Sequence, residues 1–379
     1  MERLTIEPRP DWQKIVEGQG FHYHTAETED GSIPCWNESA YYSFTSSEIE
    51  QIEQCSYALN DMCLKAVQHV IDRDLFGQFH ISPLFRDFVR ESWNRDEFTV
   101  YGRFDLAFNG RGPPKLLEYN ADTPTALLEA AVVQWYWLND RFPQADQFNS
   151  IHERLLEIWS ILAKQMPGAW HFASLEGNVE DYMTVNYLRD TAVQGGANTQ
   201  YLAIEKIGWN NRLGEFTDLE ERPLAHVFKL YPWEWMLKEQ FGPFLLRGHT
   251  RWLEAPWKML LSNKAILTVL WELFPESPYL LRAAFEAPGA NYVRKPIFGR
   301  EGANVTVVRD GNVVAQTEGI YADSPCVYQD YHDVPCFDGK YPVVGSWMVN
   351  GHACGMGIRE DNGPVTQNTS QFVPHIIGS

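Results

Sequence analysis

The sequence predicts an α+β fold of several lobes, and three features of its hydrophobic pattern predict it. Apolar residues run near helical spacing through much of the first ninety-odd residues. The period changes to two at Phe98 and returns to two after Phe274, and strand and helix patterns alternate between Trp170 and Phe228. The chain of 379 residues is 44% hydrophobic and 14% aromatic, with 14 Trp, 17 Tyr and 21 Phe, which is enough to bury a sizeable core. At roughly 150 residues per domain this length makes two or three domains, or one large body of several lobes.

The pattern divides into approximate lobes at 1–95, 96–168, 169–228 and 229–379. The first is predicted mostly helical, a support layer without obvious chemistry. Its clearest helix, Thr45 to His69, opens on Thr45-Ser46-Ser47-Glu48, a capping-box pattern in which side chains satisfy the free N–H groups of the first turn. In the second lobe, FTVYGRFDLAF and KLLEYN read as two strands joined by the Asn109–Pro114 loop, most simply a hairpin. Thr123-Pro124 is then expected to start a long apolar helix, Thr125 to Leu138, with another helix near Ile151 to Gln165. Between Trp170 and Phe228, HFASL, the run Asp181 to Ala192 and TQYLAI suggest a small α/β lobe ending around Lys229. In the last lobe, Asn263 to Phe274 is predicted helical. The segments YVRKPIF, ANVTVV, CVYQDY, PVVGSWMV and CGMGIRED, with short glycine turns, are expected to form an antiparallel sheet. No long linker separates these parts, so they should close around a shared cleft.

The 31 Lys and Arg against 50 Asp and Glu give a net charge of -19. A surface so acidic repels phosphate backbones and anionic membranes, so no nucleic-acid or membrane partner is expected. Six cysteines, at 35, 55, 63, 326, 336 and 354, form no C-x-x-C pair and read as reduced thiols. The N-terminus lacks an apolar leader and no window reaches the ~18 apolar residues of a membrane span, so a cytoplasmic location is expected. The sequence leaves monomer and homodimer both open.

Chemistry concentrates first on the hairpin. Arg103 and Asp105 share one face of their strand, as Glu118 and Asn120 share one face of theirs. If the register lets these faces coincide, two carboxylates, an amide and a guanidinium converge. That is the oxygen-rich set a phosphate-bound Mg²⁺ needs, with an arginine clamp for developing negative charge. The alternative is a solvated hairpin face with an ordinary Arg–Asp pair. Thr123 and Thr125, at the expected start of a helix, could hold a carboxylate there or act as a plain helix cap. Lys264 begins a helix, and Lys295 sits amid Val, Pro, Ile and Phe, placed either for phosphate or as a snorkelling edge-strand lysine. Phe298 to Asn304 is a glycine-bounded loop able to fold over phosphates. Arg359-Glu360-Asp361 reads as a strand end, of interest only if it points into the cleft. His22 and His24 lack supporting carboxylates for zinc, and Walker, dinucleotide-binding and serine-hydrolase motifs are absent.

The segments YGRFDLAFNGRGPPKLLEYNADTPT, WKMLLSNKAIL, YVRKPIFGREGANVTV and GMGIRED resemble the synthetase domain of the glutathionylspermidine synthase family. DTPT and GREG favour its stand-alone bacterial acid–amine ligase group. The resemblance covers essentially the whole chain. It implies an ATP-grasp fold holding ATP and two Mg²⁺ ions, in which ATP phosphorylates a carboxylate and an amine displaces the phosphate. It puts metal on Asp105, Glu118 and Asn120, and a transition-state clamp on Arg103, with Arg359 approaching the reacting phosphate. ATP falls to Arg103, Asp105, Lys264, Lys295, Glu301 and Gly302, with Gln329 and Asp330 near adenine. It implies a small-molecule or peptide acid near Thr123, where glutathione is one candidate, and a cationic amine such as a polyamine near Glu180 and Asp181. The residues alone read Glu180 and Asp181 equally as the solvated first turn of a helix.

Two departures shape the expectation. No room is left for the bifunctional enzyme's amidase domain, so amide hydrolysis is not expected. Ala126 stands where that enzyme has a cysteine near glutathione, which weakens glutathione as the acid more than it weakens ATP. Alternatives to a ligase are an ATP-binding protein without ligase activity and an ATP-dependent kinase.

Overall fold

The structure is a computed structural model describing residues 1–28 and 31–378. Its centre is a five-stranded antiparallel sheet in the order Gln371–Val373, His352–Asp361, Tyr341–Val349, Tyr101–Ala107, Lys115–Asn120. Apolar side chains from its back, Phe104 and Leu106 among them, join the long helix Ser46–Asp72 in one core. That helix begins as the sequence predicts. The Thr45 hydroxyl accepts from the Glu48 N–H and the Glu48 carboxylate accepts from the Thr45 N–H. Its buried Ser56 hydroxyl meets that of Ser346 at 2.6 Å, tying helix to sheet.

The last lobe's strands do not form one sheet, contrary to expectation. Tyr341–Val349 and His352–Asp361 pair with the first hairpin, while Ala283–Ala284, Cys326–Asp330, Tyr292–Pro296, Thr306–Arg309 and Asn312–Gln316 make a second antiparallel sheet. Period-two patterns fix which face of a strand is buried but not which strand lies beside it. The first lobe is also less helical than predicted. Glu2–Thr5 and Ala40–Phe44 pair antiparallel, and His375–Ile377 adds in parallel. Strands of three to five residues carry too few alternations to register beside a 27-residue helix.

The α/β lobe carries a four-stranded parallel sheet in the order Arg251–Leu253, His226–Leu230, Ala169–Ser174, Asn198–Ala203. Helix Val179–Gln194 makes the crossover and packs against helix Ile151–Gln165. This sheet runs past the expected end at Phe228 to take in Leu253. After the hairpin, the helical run also differs. A π-helical segment, Glu129–Val133, passes into the α-helix Gln134–Arg141, and Ala126 before it adopts φ 63°. Thr123, in a bend, and Thr125, outside regular structure, therefore precede the helix. The left-handed Ala126 separates them from the first helical turn.

Two buried ion pairs fasten the hairpin to this lobe. At its exit, the fully buried Asp122 carboxylate takes Lys229 Nζ at 2.7 Å and the Trp233 N–H at 2.9 Å. At its entrance, the fully buried Glu254 carboxylate accepts the backbone N–H groups of Val100 and Tyr101 and pairs with Lys258 at 2.8 Å. Lys258 also donates to the Tyr101 carbonyl. All six cysteines are free, and among the described residues no helix is long and apolar enough to cross a membrane.

Replacing Lys229 by Met strands the Asp122 carboxylate in the interior, and the expected loss is about 3–5 kcal/mol in urea denaturation. Adding Asp122→Leu should recover much of that loss. An unchanged midpoint for Lys229→Met would mean the pair does not hold the hairpin exit.

Candidate active site

The hairpin register places Arg103 opposite Asn120 and Asp105 opposite Glu118, so the two polar faces coincide. The residues between them take the other side, where the Phe104 and Tyr119 rings stack at 3.9 Å. Asp105 is the hub. Its carboxylate accepts from Arg103 Nε at 2.7 Å, Arg103 Nη2 at 3.1 Å, Asn120 Nδ2 at 3.1 Å and Arg359 Nη2 at 2.6 Å. Arg359 therefore points into the cleft from its strand. Arg103 also donates to the Thr125 carbonyl at 2.6 Å. Gly345, opposite Asp105 on the neighbouring strand, makes room for this, since a Cβ there would lie 2.8 Å from Arg103 Cδ.

Glu118 accepts from Asn120 Nδ2 at 3.1 Å and from Lys264 Nζ at 2.8 Å. Burial alone would raise the Glu118 carboxyl, but Lys264 and Lys295 hold it well below the usual carboxylate range. Lys264 also donates to the Gly299 carbonyl at 2.6 Å. Lys295 donates to the Leu117 carbonyl and to Gln329 Oε1, and Gln329 returns a bond to the Leu116 carbonyl. Burial lowers the Lys295 ammonium to about 8 against the pull of Glu118. A buried lysine so close to neutrality gains from an anion beside it.

These groups line a cavity of about 820 Å³, open solvent at its mouth included. Its lining combines the charged Asp105, Glu118, Lys264 and Lys295 with the apolar Leu281, Val293, Val307 and Val343, and includes Gln329 and Asp330. Such an arrangement suits a ligand with a phosphate chain and a flat base. The loop Gly299–Gly302 forms its lip. Glu301 and Gly302 both have positive φ, and a side chain at Gly302 would collide with the Thr366 carbonyl, so the second position needs glycine.

A second cavity, of about 860 Å³ with its solvent mouth, abuts the first at Glu118, Gly302 and Thr366. Arg103, Arg359, Asn120, Thr123, Thr125, Asp181 and Glu301 line it. Arg300 bridges its wall, donating to the Thr123 hydroxyl at 2.6 Å and pairing with Glu234 at 2.7 Å. Glu180 and Asp181 stand in the first turn of their helix, whose cap is Asn178. A solvated first turn would hold their carboxyls low. Instead burial, with Glu180 and Glu301 adding repulsion, pushes Asp181 up to about 7, and burial raises Glu180 although Thr125 offers it a hydrogen bond. Glu180 is half-buried beside this cavity rather than in its lining. Glu129, buried and bonded to the Tyr23 hydroxyl at 3.0 Å, is pushed up to about 8 by burial with Glu180 nearby.

Sequence reasoning did not single out Arg300, Thr366, Gly345, Trp235 or Glu129. Arg300 sits in the glycine-bounded loop and could have been found there; the others reach the site only through tertiary packing. Among the described residues no cluster of three His, Cys, Asp or Glu side chains could hold a metal ion. His24 instead bonds Thr25 and Glu17. Asp105, Glu118 and Asn120 supply two carboxylates and one amide, which fits a hard cation completed by phosphate oxygens. Asn120 turns its Nδ2 to both carboxylates, so ligation through its oxygen requires the amide to rotate.

The family model for glutathionylspermidine synthase preATP-grasp matches residues 3–378. A Haemophilus influenzae protein provisionally named an acid–amine ligase is 42% identical over 392 residues, covering 99% of both chains. The Escherichia coli bifunctional glutathionylspermidine synthetase/amidase is 27% identical over 89% of this chain, and the Crithidia fasciculata trypanothione synthetase 27% over 83%. The chain spans 59% and 53% of those two relatives. In fold it resembles a glutathione synthetase-like effector from Globodera pallida, with a TM-score of 0.59, covering 98% of this chain and 100% of that one at 10% identity.

The raised Asp181 carboxyl has a stability consequence. Its folded value of about 7 lies above the ordinary 3.8, so the fold favours the protonated form and loses stability as pH rises from about 4 through 7. Asp181→Asn should therefore raise the thermal midpoint at pH 8, with the gain shrinking as pH falls and gone below about pH 3.5. A gain independent of pH would place Asp181 in ordinary solvent.

Proposed function

The chain belongs to the glutathionylspermidine synthase family, and from that premise we propose an ATP- and Mg²⁺-dependent acid–amine ligase of the ATP-grasp type. One observation carries the reading. A cavity lined by two lysines, two carboxylates and several apolar side chains meets a second cavity, lined by arginines, threonines and a raised carboxyl, at Glu118 and Gly302. That is the layout needed to pass a phosphoryl group from a nucleotide to an acceptor.

In this reading ATP lies in the first cavity, its base near Gln329 and Asp330 and its phosphates beside Lys264, Lys295 and the Gly299–Gly302 loop. Asp105, Glu118 and Asn120 would hold two Mg²⁺ ions, which when bound would neutralise the phosphates and align their oxygens. Arg103 and Arg359, meeting at Asp105, face the phosphoryl group in transit, where positioning and charge neutralisation do most of the work. An oxygen of the acid's carboxylate attacks the terminal phosphorus, the bond to the β-phosphate oxygen breaks, and ADP leaves. Thr123 and Thr125 would orient that carboxylate. The amine nitrogen then bonds the acyl carbon, inorganic phosphate leaves, and the nitrogen gives up a proton. Asp181, held to about 7, with Glu180 behind it, suits both a cationic amine and that proton.

A matrix of peptide acids against amines tests the reading. With ATP and Mg²⁺, phosphate release should need both partners and should match an amide product by mass. A phosphorylated acid that persists would instead indicate a kinase, and ATP binding without turnover across the matrix would count against any ligase. Glu118→Ala should abolish turnover and, by leaving Lys264 and Lys295 without their carboxylate, lower the thermal midpoint while the circular dichroism spectrum of the folded chain is kept.

Gly345→Ala probes the seat of the clamp. Its methyl group displaces Arg103, and with it the two bonds Arg103 makes to Asp105, so kcat should fall at least about 10²-fold, the usual scale for a lost transition-state donor. Parental kcat would mean Arg103 need not lie across this strand.

A further inference from the structure

Four apolar side chains in the lining of the second cavity come from one place in the fold. Strand Ala169–Ser174 ends beside strand His226–Leu230, with Ser174 opposite Leu230, and Leu175 and Pro232 follow just past these two ends. Trp235 comes next, on a turn that its N–H closes to the Pro232 carbonyl at 3.1 Å, and its ring meets that of Tyr231 edge-on at 5.6 Å. The bond from the Trp233 N–H to the Asp122 carboxylate seats this segment beside Thr123. Leu175, Leu230, Pro232 and Trp235 thus gather at the carboxyl edge of the parallel sheet and line the same cavity as Thr123, Arg103 and Arg359. The charges in that lining are unevenly committed. Arg103 and Arg359 hold Asp105, and Arg300 holds Glu234 through two of its nitrogens. Asp181 and Glu301, by contrast, pair with no cation among the described residues.

We propose that the acid taken by this site is a monocarboxylic acid with an apolar body, its carboxylate beside Thr123 and its carbon chain against Leu175, Leu230, Pro232 and Trp235. The inference rests on the ligase reading and deepens it by naming the class of the acid. Apolar side chains in a binding cavity favour a ligand that brings apolar surface to them and removes both from water. A second carboxylate on the acid would lose water without gaining a partner. Arg300 is already taken by Glu234, and Arg103 and Arg359 serve the reacting carboxylate and the phosphoryl group. Such a carboxylate would also lie in the field of Asp181 and Glu301, whose like charge repels it. A dicarboxylic acid, or a peptide such as glutathione with its two carboxylates, is disfavoured on both counts. The unpaired acids suit the cationic amine instead, and the apolar side chains, seated beside Thr123, are left to the acid.

The test compares hexanoate with adipate, which has the same carbon chain and a second carboxylate, and with glutathione. Binding to the intact chain is read by calorimetry in the presence of Mg²⁺ and a non-hydrolysable ATP analogue. Hexanoate should bind at least about tenfold more tightly than either of the others. Leu175→Lys, which sets a cation among the apolar side chains, should narrow that gap by strengthening adipate, and Trp235→Ala should narrow it by weakening hexanoate. A smaller gap in the parent chain, no binding of hexanoate, or a gap unchanged in both variants would overturn the inference. Turnover with a panel of amines is scored separately. Preferred binding of hexanoate with no amide from any of the three acids would sink the ligase reading and leave the assignment of the acid standing. Amide from adipate or glutathione, and none from hexanoate, would do the reverse.

Discussion

The register of two short strands is the constraint on which the rest of the molecule depends. Arg103 opposite Asn120 and Asp105 opposite Glu118 gather the polar side chains on one face. A slip of one residue would turn Phe104 and Tyr119 into the cleft and send the carboxylates into the apolar core. Hydrophobic alternation argues against that slip, and the ion pairs at the two ends reinforce it. Glu254 holds the backbone where the hairpin enters and Asp122 where it leaves, each with a buried lysine. Buried pairs of this kind add little net stability, because the cost of drying two charges offsets most of their attraction. What they contribute is a single seat for the hairpin against the parallel sheet.

The site is built as a set of charges satisfied by one another and open to exchange. Asp105 is shared by two arginines, and Glu118 by a lysine and an amide. In the proposed ligase, phosphates entering the first cavity would compete for those arginines and lysines, and cations entering with them would compete for the carboxylates. Each incoming group releases a partner for another, so binding need not leave any buried charge bare. On the far wall the balance differs. Asp181, Glu180 and Glu129 lie close with no cation paired to them among the described residues, and burial raises all three. Stability is given up there, a common mark of residues kept for chemistry rather than for the fold.

What could be read from the sequence followed from what local pattern encodes. The capping box at Thr45, the helix Ile151–Gln165 and the hairpin strands stood out because their periods extend over many residues. Pairing partners did not. The last strands divide between two sheets, and the short terminal strands hid beside a long helix, because sequence carries no direct record of which edges meet. The site shows the same limit. Arg103, Asp105, Glu118 and Asn120 share strands and could be grouped by spacing. Arg359, Gly345 and Thr366 arrive from more than 200 residues away, and only the sheet order brings them in.

Ala126 illustrates how position in space changes the weight of a substitution. In sequence it stands next to Thr125 and so looks like a departure in the acceptor site itself. In the fold its φ of 63° turns the chain, and the side chain packs into the aromatic core with Leu127, Trp137 and Trp347 rather than into the lining of the second cavity. Thr125 meanwhile keeps its carbonyl on Arg103 and its place in that lining. The alanine therefore removes no wall from the acceptor cavity. In the proposed ligase, selection among acids would fall instead to Thr123, Thr125, Leu175 and Trp235, which share the second cavity with Arg103 and Arg359.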